Sequence, residues 1–281
     1  MAGPEPSPVR RALRAWYAPR RGRYPWRGDP PDPYAVLVSE VMLQQTQASR
    51  VAPSFTAFIA RFPDVRSLAR ATRADVLRAW SGLGYHRRAV ALHAAARRIV
   101  ERFDGRIPSD PDDLRTLPGV GPYTAAAVAA IAYGAPVVAM DVNVRRVVTR
   151  LTASDDRAAH DEALALLDRR DPATWHQAVM DLGRDVCRPV PRCPACPLGA
   201  WCRSRGRVLS RRSSRVQPPF HGSNREARGR VLAALRDRGP TGFVGVTRAT
   251  GLPAARVTPA LDGLIRDGVV ERRGRSYRLP S

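Results

Sequence analysis

The stretch Leu117–Asp141, LPGVGPYTAAAVAAIAYGAPVVAMD, decides the fold. Gly119 and Gly121 punctuate a turn with backbone freedom other residues lack, Pro122 stands where a helix accepts proline in its first turn, and an alanine-rich apolar run follows to Tyr133. With Leu114 and Leu117 before the turn and Ala125 and Val128 after it, the pattern predicts two packed helices joined by a tight turn, a helix-hairpin-helix. Backbone N–H groups at such a helix start hold a phosphate without side-chain charge. The usual partner of a helix-hairpin-helix is a DNA backbone, gripped without sequence choice, while the plainer reading is a tight turn between two packed helices. The run ends on Asp141, ahead of NVRRVVTRL, a further predicted helix whose dipole favours an ionised acid at its N-terminus. Taken alone, Asp141 reads as an N-cap.

Working outward, apolar residues recur at helical spacing in Val9–Tyr17, YAVLVSEVMLQQTQASRVAPSFTAFIARF, Ala74–Trp80, Ala89–Phe103 and Pro122–Tyr133. No alternating strand stands out over the first 200 residues, so the fold class is all-α to about residue 203. Residues 1–8, rich in Pro and small side chains, read as a disordered tail. Residues 204–222 are polar, basic and turn-rich, a linker. Past it, REARGRVLAALRDRG is a helix with a glycine stop, VTRATGLPAARVTPALDGLIRDG two helices around Gly-Leu-Pro, and VVERRGRSYRLP a two-stranded wing turning at Arg-Gly. Residues 223–281 thus read as a winged-helix-like module, with Arg272, Arg273 and Arg275 available either for extra DNA contact or as part of a packing appendage.

The 281 residues carry 47 basic against 25 acidic side chains, net +22, which points to a polyanionic partner. Every one of those cations is arginine, so lysine Schiff-base chemistry is excluded. No apolar run is long enough to span a bilayer, and the start MAGPEPSPVRR lacks the apolar stretch of a signal peptide, so a cytoplasmic location and no membrane partner are expected. Cys187, Cys193, Cys196 and Cys202 read C-x5-C-x2-C-x5-C; four thiols this close suit a [4Fe–4S] cluster or a zinc ion, or stand unligated in a core. Glu40 lies among Val36, Leu37, Val41, Met42 and Leu43. An unpaired carboxyl there has its pKa raised, unless it turns outward or pairs with an arginine. One acid held neutral and another held charged is an arrangement that divides proton donation from electrostatic work.

Over residues 9–203 the chain resembles the MutY-type adenine DNA glycosylases of the helix-hairpin-helix superfamily. The segments that carry the likeness are PWR (25–27), SEVMLQQTQ (39–47), GLGY (82–85), LPGVGPYTA (117–125), DVNVRRV (141–147) and HQAVMDLG (176–183). The resemblance implies a six-helix barrel over 30–136, an iron–sulfur subdomain from 9–29 and 137–203, and a monomer acting on double-stranded DNA with adenine mispaired with 8-oxoguanine or guanine. By that likeness Glu40 protonates a flipped adenine, Asp141 steadies the sugar cation and helps capture water, Asn143 orients Asp141, and Tyr123 takes the family's active-site tyrosine or serine position. Arg27 and Gln177 would hold the adenine. Gln45 and Tyr85 would wedge into the duplex, and Gly119 and Gly121 would meet phosphate.

The related endonuclease III type uses a lysine where this chain has Tyr123 to cut the strand, so a monofunctional enzyme leaving an abasic site is expected. The superfamily's cluster spacing, C-x6-C-x2-C-x5-C, is one residue longer in its first loop; a structural [4Fe–4S] cluster presenting Arg184, Arg188 and Arg192 to phosphate is the expectation. Many members carry a C-terminal Nudix-like domain that helps read 8-oxoguanine, whereas the winged-helix-like segment here resembles the short tails of some actinobacterial relatives. Two other readings remain open: a thymine or uracil mismatch glycosylase, which needs no adenine protonation, and a non-enzymatic iron–sulfur DNA-binding regulator, which leaves Glu40, Tyr123 and Asp141 without a role.

Overall fold

The computed structural model describes residues 6–207 and 219–280. Helix α1 (Pro6–Tyr17) starts three residues before the sequence pattern and takes in Pro6, Ser7 and Pro8, which the composition assigned to a disordered tail. Prolines cost nothing in a first turn, because the N–H they lack has no helical partner there. The rest of that tail, and the middle of the expected linker, lie outside the described residues.

The long helical stretch after Pro33 is two helices, α2 (Pro33–Leu43) and α3 (Ala48–Arg61), parted at Gln44–Gln47. Then come α4 (Val65–Arg70), α5 (Arg73–Ala79), α6 (Arg87–Phe103), α7 (Pro111–Arg115), α8 (Pro122–Tyr133), α9 (Val142–Thr152), α10 (Ala159–Leu166) and α11 (Pro172–Asp185). Side-chain caps start many of them: Asp32 on α2, Asp110 on α7, Asp141 on α9 and Asp171 on α11 each accept a backbone N–H of the first turn. No strand occurs among the described residues before Thr241.

The C-terminal module runs α12 (Asn224–Arg238), β1 (Thr241–Gly242), α13 (Phe243–Thr250), α14 (Ala254–Arg266), β2 (Glu271–Arg273) and β3 (Ser276–Arg278). The strands form one antiparallel sheet in the order β1-β3-β2, with Arg272 opposite Tyr277. Three helices and a wing are thus present as expected, with the two-residue β1 in addition. Arg272, Arg273 and Arg275 are exposed on the wing.

The described residues gather into two compact units, one of those up to Gln44 with those from Ile107 to 207, the other of Gln45–Arg106 with 219–280. These cuts differ from the 30–136 and 137–203 division. Helices α2 and α8 pack on each other, and α8 also packs on α11, which draws both into the body holding the cysteines. In the first unit Val9, Leu13 and Tyr17 of α1 close over Val144, Val148 and Leu151 of α9 and Trp175, Val179 and Leu182 of α11.

Candidate active site

Glu40 sits on a helix with no polar face: from Val36 to Met42 every α2 residue is buried. Such a helix belongs inside a protein, so Glu40, 6% exposed, has no outward rotamer to water. Burial pushes its pKa up to about 7, partly offset by a hydrogen bond with Tyr123 and reinforced by the charge of Asp141, with Arg27 acting the other way. The Tyr123 hydroxyl, its own pKa driven well up by burial and by the two acids, stays protonated. It also lies 4.0 Å from the Met180 sulfur.

Asp141 is an N-cap, but its donors are more numerous than a cap needs. Oδ1 accepts the N–H groups of Asn143 (2.9 Å) and Val144 (2.6 Å), and Oδ2 accepts the Asn143 side-chain amide at 2.8 Å. Burial raises its pKa, opposed by those three donors and by Arg146. The Asn143 oxygen accepts from Arg146 at 2.6 Å, and Arg146 donates to the Gly183 carbonyl (2.8 Å) and the Cys187 carbonyl (2.7 Å). His176 fixes the strand-like approach to Asp141: its Nε2 accepts the Ala139 N–H at 3.0 Å, its Nδ1 bonds the Pro172 carbonyl at 2.7 Å, and the Ala139 carbonyl accepts the Asp141 N–H at 3.2 Å. Fully buried, His176 has its pKa pushed down to about 4 and stays neutral.

Arg27 is held below the surface, 7% exposed, by two 2.8 Å bonds to Asp181, itself completely buried. Its guanidinium also lies over the Tyr24 ring. Gln177 accepts the Tyr17 hydroxyl at 2.5 Å through Oε1, which leaves its NH2 as the group to offer elsewhere. Both side chains are therefore already oriented by partners that sequence reading did not name.

The turn between α7 and α8 has Gly119 at φ +79°, as a left-handed position requires, and exposed. Gly121 differs from expectation: it is extended at φ −90°, ψ 178°, with nothing within 4 Å of where a Cβ would stand. Its role is to begin α8, which any residue's backbone can do. Among the described residues neither glycine donates its N–H within the chain.

Gln45 and Tyr85 belong to the second unit, and both are exposed residues at positive φ, +56° and +45°. Non-glycine residues adopt that region uncommonly; Asp104 and Ala153 do so here as helix C-caps. One guanidinium links their loops: Arg88 donates to Thr46 Oγ1 (3.0 Å) and to the Gly84 carbonyl (3.2 Å) and lies over the rings of Trp80 and Tyr85.

Cys187, Cys193, Cys196 and Cys202 line one cavity with Arg150, Arg192 and Arg205. Four thiols lining one cavity are a donor set that fits an iron–sulfur cluster or another thiolate-bound metal. Arg188 and Arg192 are exposed, but Arg184 is not turned to solvent as expected: Asp181 (2.8 Å) and Asp185 (3.0 Å) claim it.

Residues 38–171 match the family model described as HhH-GPD superfamily base excision DNA repair protein. The chain is similar to the adenine DNA glycosylase of Mycolicibacterium smegmatis, 44% identical over 95% of this chain and 93% of that protein. To the human adenine DNA glycosylase it is 38% identical over 73% of this chain and 40% of the other. A thermostable thymine-DNA glycosylase structure superposes with TM-score 0.64 at 25% identity, covering 72% of this chain and 96% of that one. An endonuclease III–DNA complex gives 0.59 at 22%, covering 73% and 97%, a likeness of fold.

Proposed function

The chain belongs to the HhH-GPD superfamily of base excision DNA repair proteins and, within it, to the adenine DNA glycosylases; from that premise we propose that it removes adenine from duplex DNA where adenine faces 8-oxoguanine or guanine. The observation that carries this reading is Glu40, with its pKa near 7, bonded to Tyr123 and within the field of Asp141. Near neutral pH a substantial share of Glu40 keeps its proton. Its transfer to N7 of an extruded adenine lets the base leave with the electron pair of the N-glycosidic bond. Asp141, held by three N–H donors, supplies the anion facing the sugar cation and accepts the proton of the water that captures it. The products are free adenine and an abasic site, and with no lysine in the chain no lysine imine cuts the strand. Base extrusion is the prerequisite, since neither acid reaches this bond in stacked DNA.

Asn143 orients Asp141 in this scheme, and Gln177 offers its NH2 to a ring-nitrogen acceptor of adenine. Arg27, locked on Asp181, serves as a fixed wall and as a charge restraining Glu40 rather than as a flexible grip. Gln45 and Tyr85 enter the duplex at the lesion, while Gly119 and Gly121 offer N–H groups to phosphate. Cys187, Cys193, Cys196 and Cys202 hold a [4Fe–4S] cluster, which ties α9, α11 and the C-terminal loops together when bound. Residues 9–203 form the catalytic region and 223–281 an added module, in a cytoplasmic monomer. Among the described residues no helix is long and apolar enough to cross a membrane.

The likeness to a thymine-DNA glycosylase favours one rival, excision of thymine or uracil opposite guanine. One panel separates them: duplexes with A opposite 8-oxoguanine, A opposite G, and T or U opposite G, each cleaved with alkali after incubation. Strand breaks at adenine are expected, and breaks confined to T or U would overturn the proposal.

A further inference from the structure

The first cysteine loop, Cys187–Cys193, contains Pro189 and Pro191 and so has few N–H groups with which to satisfy its own carbonyls. Arg150 of α9 supplies the donors. One terminal nitrogen donates to the Arg188 carbonyl at 2.6 Å and the other to the Pro189 carbonyl at 2.9 Å. The first also stands 3.5 Å from both the Cys187 carbonyl and the Cys187 sulfur. The backbone of the same residue faces the far end of the motif: its carbonyl lies 3.5 Å from the Cys202 sulfur and accepts the Ser204 N–H at 3.1 Å. Arg150 therefore touches the first and the last of the four cysteines.

Its electrostatics are as unusual as its position. Arg150 is 5% exposed, no carboxylate pairs with it among the described residues, and its buried Nε has no hydrogen-bond partner. A guanidinium taken out of water without an anion is unfavourable unless charge of opposite sign comes to it. The cavity it lines with four thiols is where such charge gathers when those thiols ionise as ligands.

We propose that Arg150 is the positioning residue of the four-cysteine site, setting the placement of Cys187 against Cys202 and acting as the internal counter-cation of the bound cluster. The proposal rests on the iron–sulfur reading given above. Full-length wild type, Arg150→Met and Arg150→Lys are purified anaerobically, iron and sulfide per chain are measured, and the decay of the visible absorption band is followed in air at a temperature where circular dichroism shows equal helix content. Arg150→Met, which keeps the stem and loses the donors, should bleach about tenfold faster or worse, the size of effect typical of lost support around metal ligands. Arg150→Lys, which restores the charge but not the forked donors, should fall between the two. Bleaching of Arg150→Met at the wild-type rate would overturn the proposal; should that variant be insoluble, wild-type behaviour of Arg150→Lys would do so. Wild-type protein lacking iron and sulfide would instead sink the cluster reading, and the proposal with it.

Discussion

The helix that carries Glu40 and the turn that carries Asp141 bury a carboxyl in different ways. On α2 the acid is surrounded by buried side chains, and its charged form is favoured by a hydrogen bond with Tyr123 and by the field of Arg27. At the start of α9 the acid meets three N–H donors at 2.6 to 2.9 Å, with Arg146 behind them. Desolvation acts on both, and the number of donors decides how far the charged form is rescued. The same carboxyl chemistry thus meets different surroundings in the two places, and the proposed division into proton donor and anion rests on that difference.

The largest expected effect comes from removing the anion. Asp141→Asn should lower single-turnover adenine release by about 10^3-fold or more, as loss of charge stabilisation at a reacting centre does, while filter binding of the duplex stays within a few-fold. Glu40→Gln should lower turnover by about 10^2- to 10^4-fold, the range for a lost general acid. The same change should stabilise the fold at high pH. The folded-state pKa of Glu40 is raised from 4.5 to about 7, so its favourable contribution is full below the unfolded value and lost as pH rises through about 7. Chemical denaturation at pH 8 should therefore find Glu40→Gln up to about 3 kcal/mol more stable than wild type, the gap closing below pH 4.5.

Smaller changes sharpen the contrast. On the Asp141 side, His176→Phe orphans the Ala139 N–H and leaves the Pro172 carbonyl with its helical donor alone, and should cost about 1 to 3 kcal/mol by denaturation, one unsatisfied buried group. On the Glu40 side, Tyr123→Phe removes a bond that lowers the Glu40 pKa, so the alkaline limb of the pH–rate profile should move upward with only a several-fold change in its plateau. A downward move would mean that the hydroxyl serves the protonated acid instead.

Much of this contrast is legible in the chain itself, for local reasons. A run of apolar residues on every side of Glu40 leaves the acid nowhere to turn, and Asp141 directly before a helical pattern declares its cap. Four cysteines within sixteen positions announce a shared site. What is not legible arises from pairing across distance. Arg27 and Asp181 lie 154 residues apart, and Arg150 and Pro189 lie 39 apart, so no local pattern joins them. Nor does composition show that Gly121 is extended while Gly119 is left-handed, or that α2 and α3 part at Gln44–Gln47, where no Gly or Pro marks the break. His176 lay in view within HQAVMDLG, but its worth depends on a backbone N–H 37 residues away.

The most direct test is the pH dependence of single-turnover adenine release from a duplex with adenine opposite 8-oxoguanine, measured from pH 5.5 to 9. A proton donated by Glu40 gives a rate that falls about tenfold per pH unit above a midpoint near 7. A rate that stays level to pH 9, or rises through 7, would contradict the division of labour between the two acids.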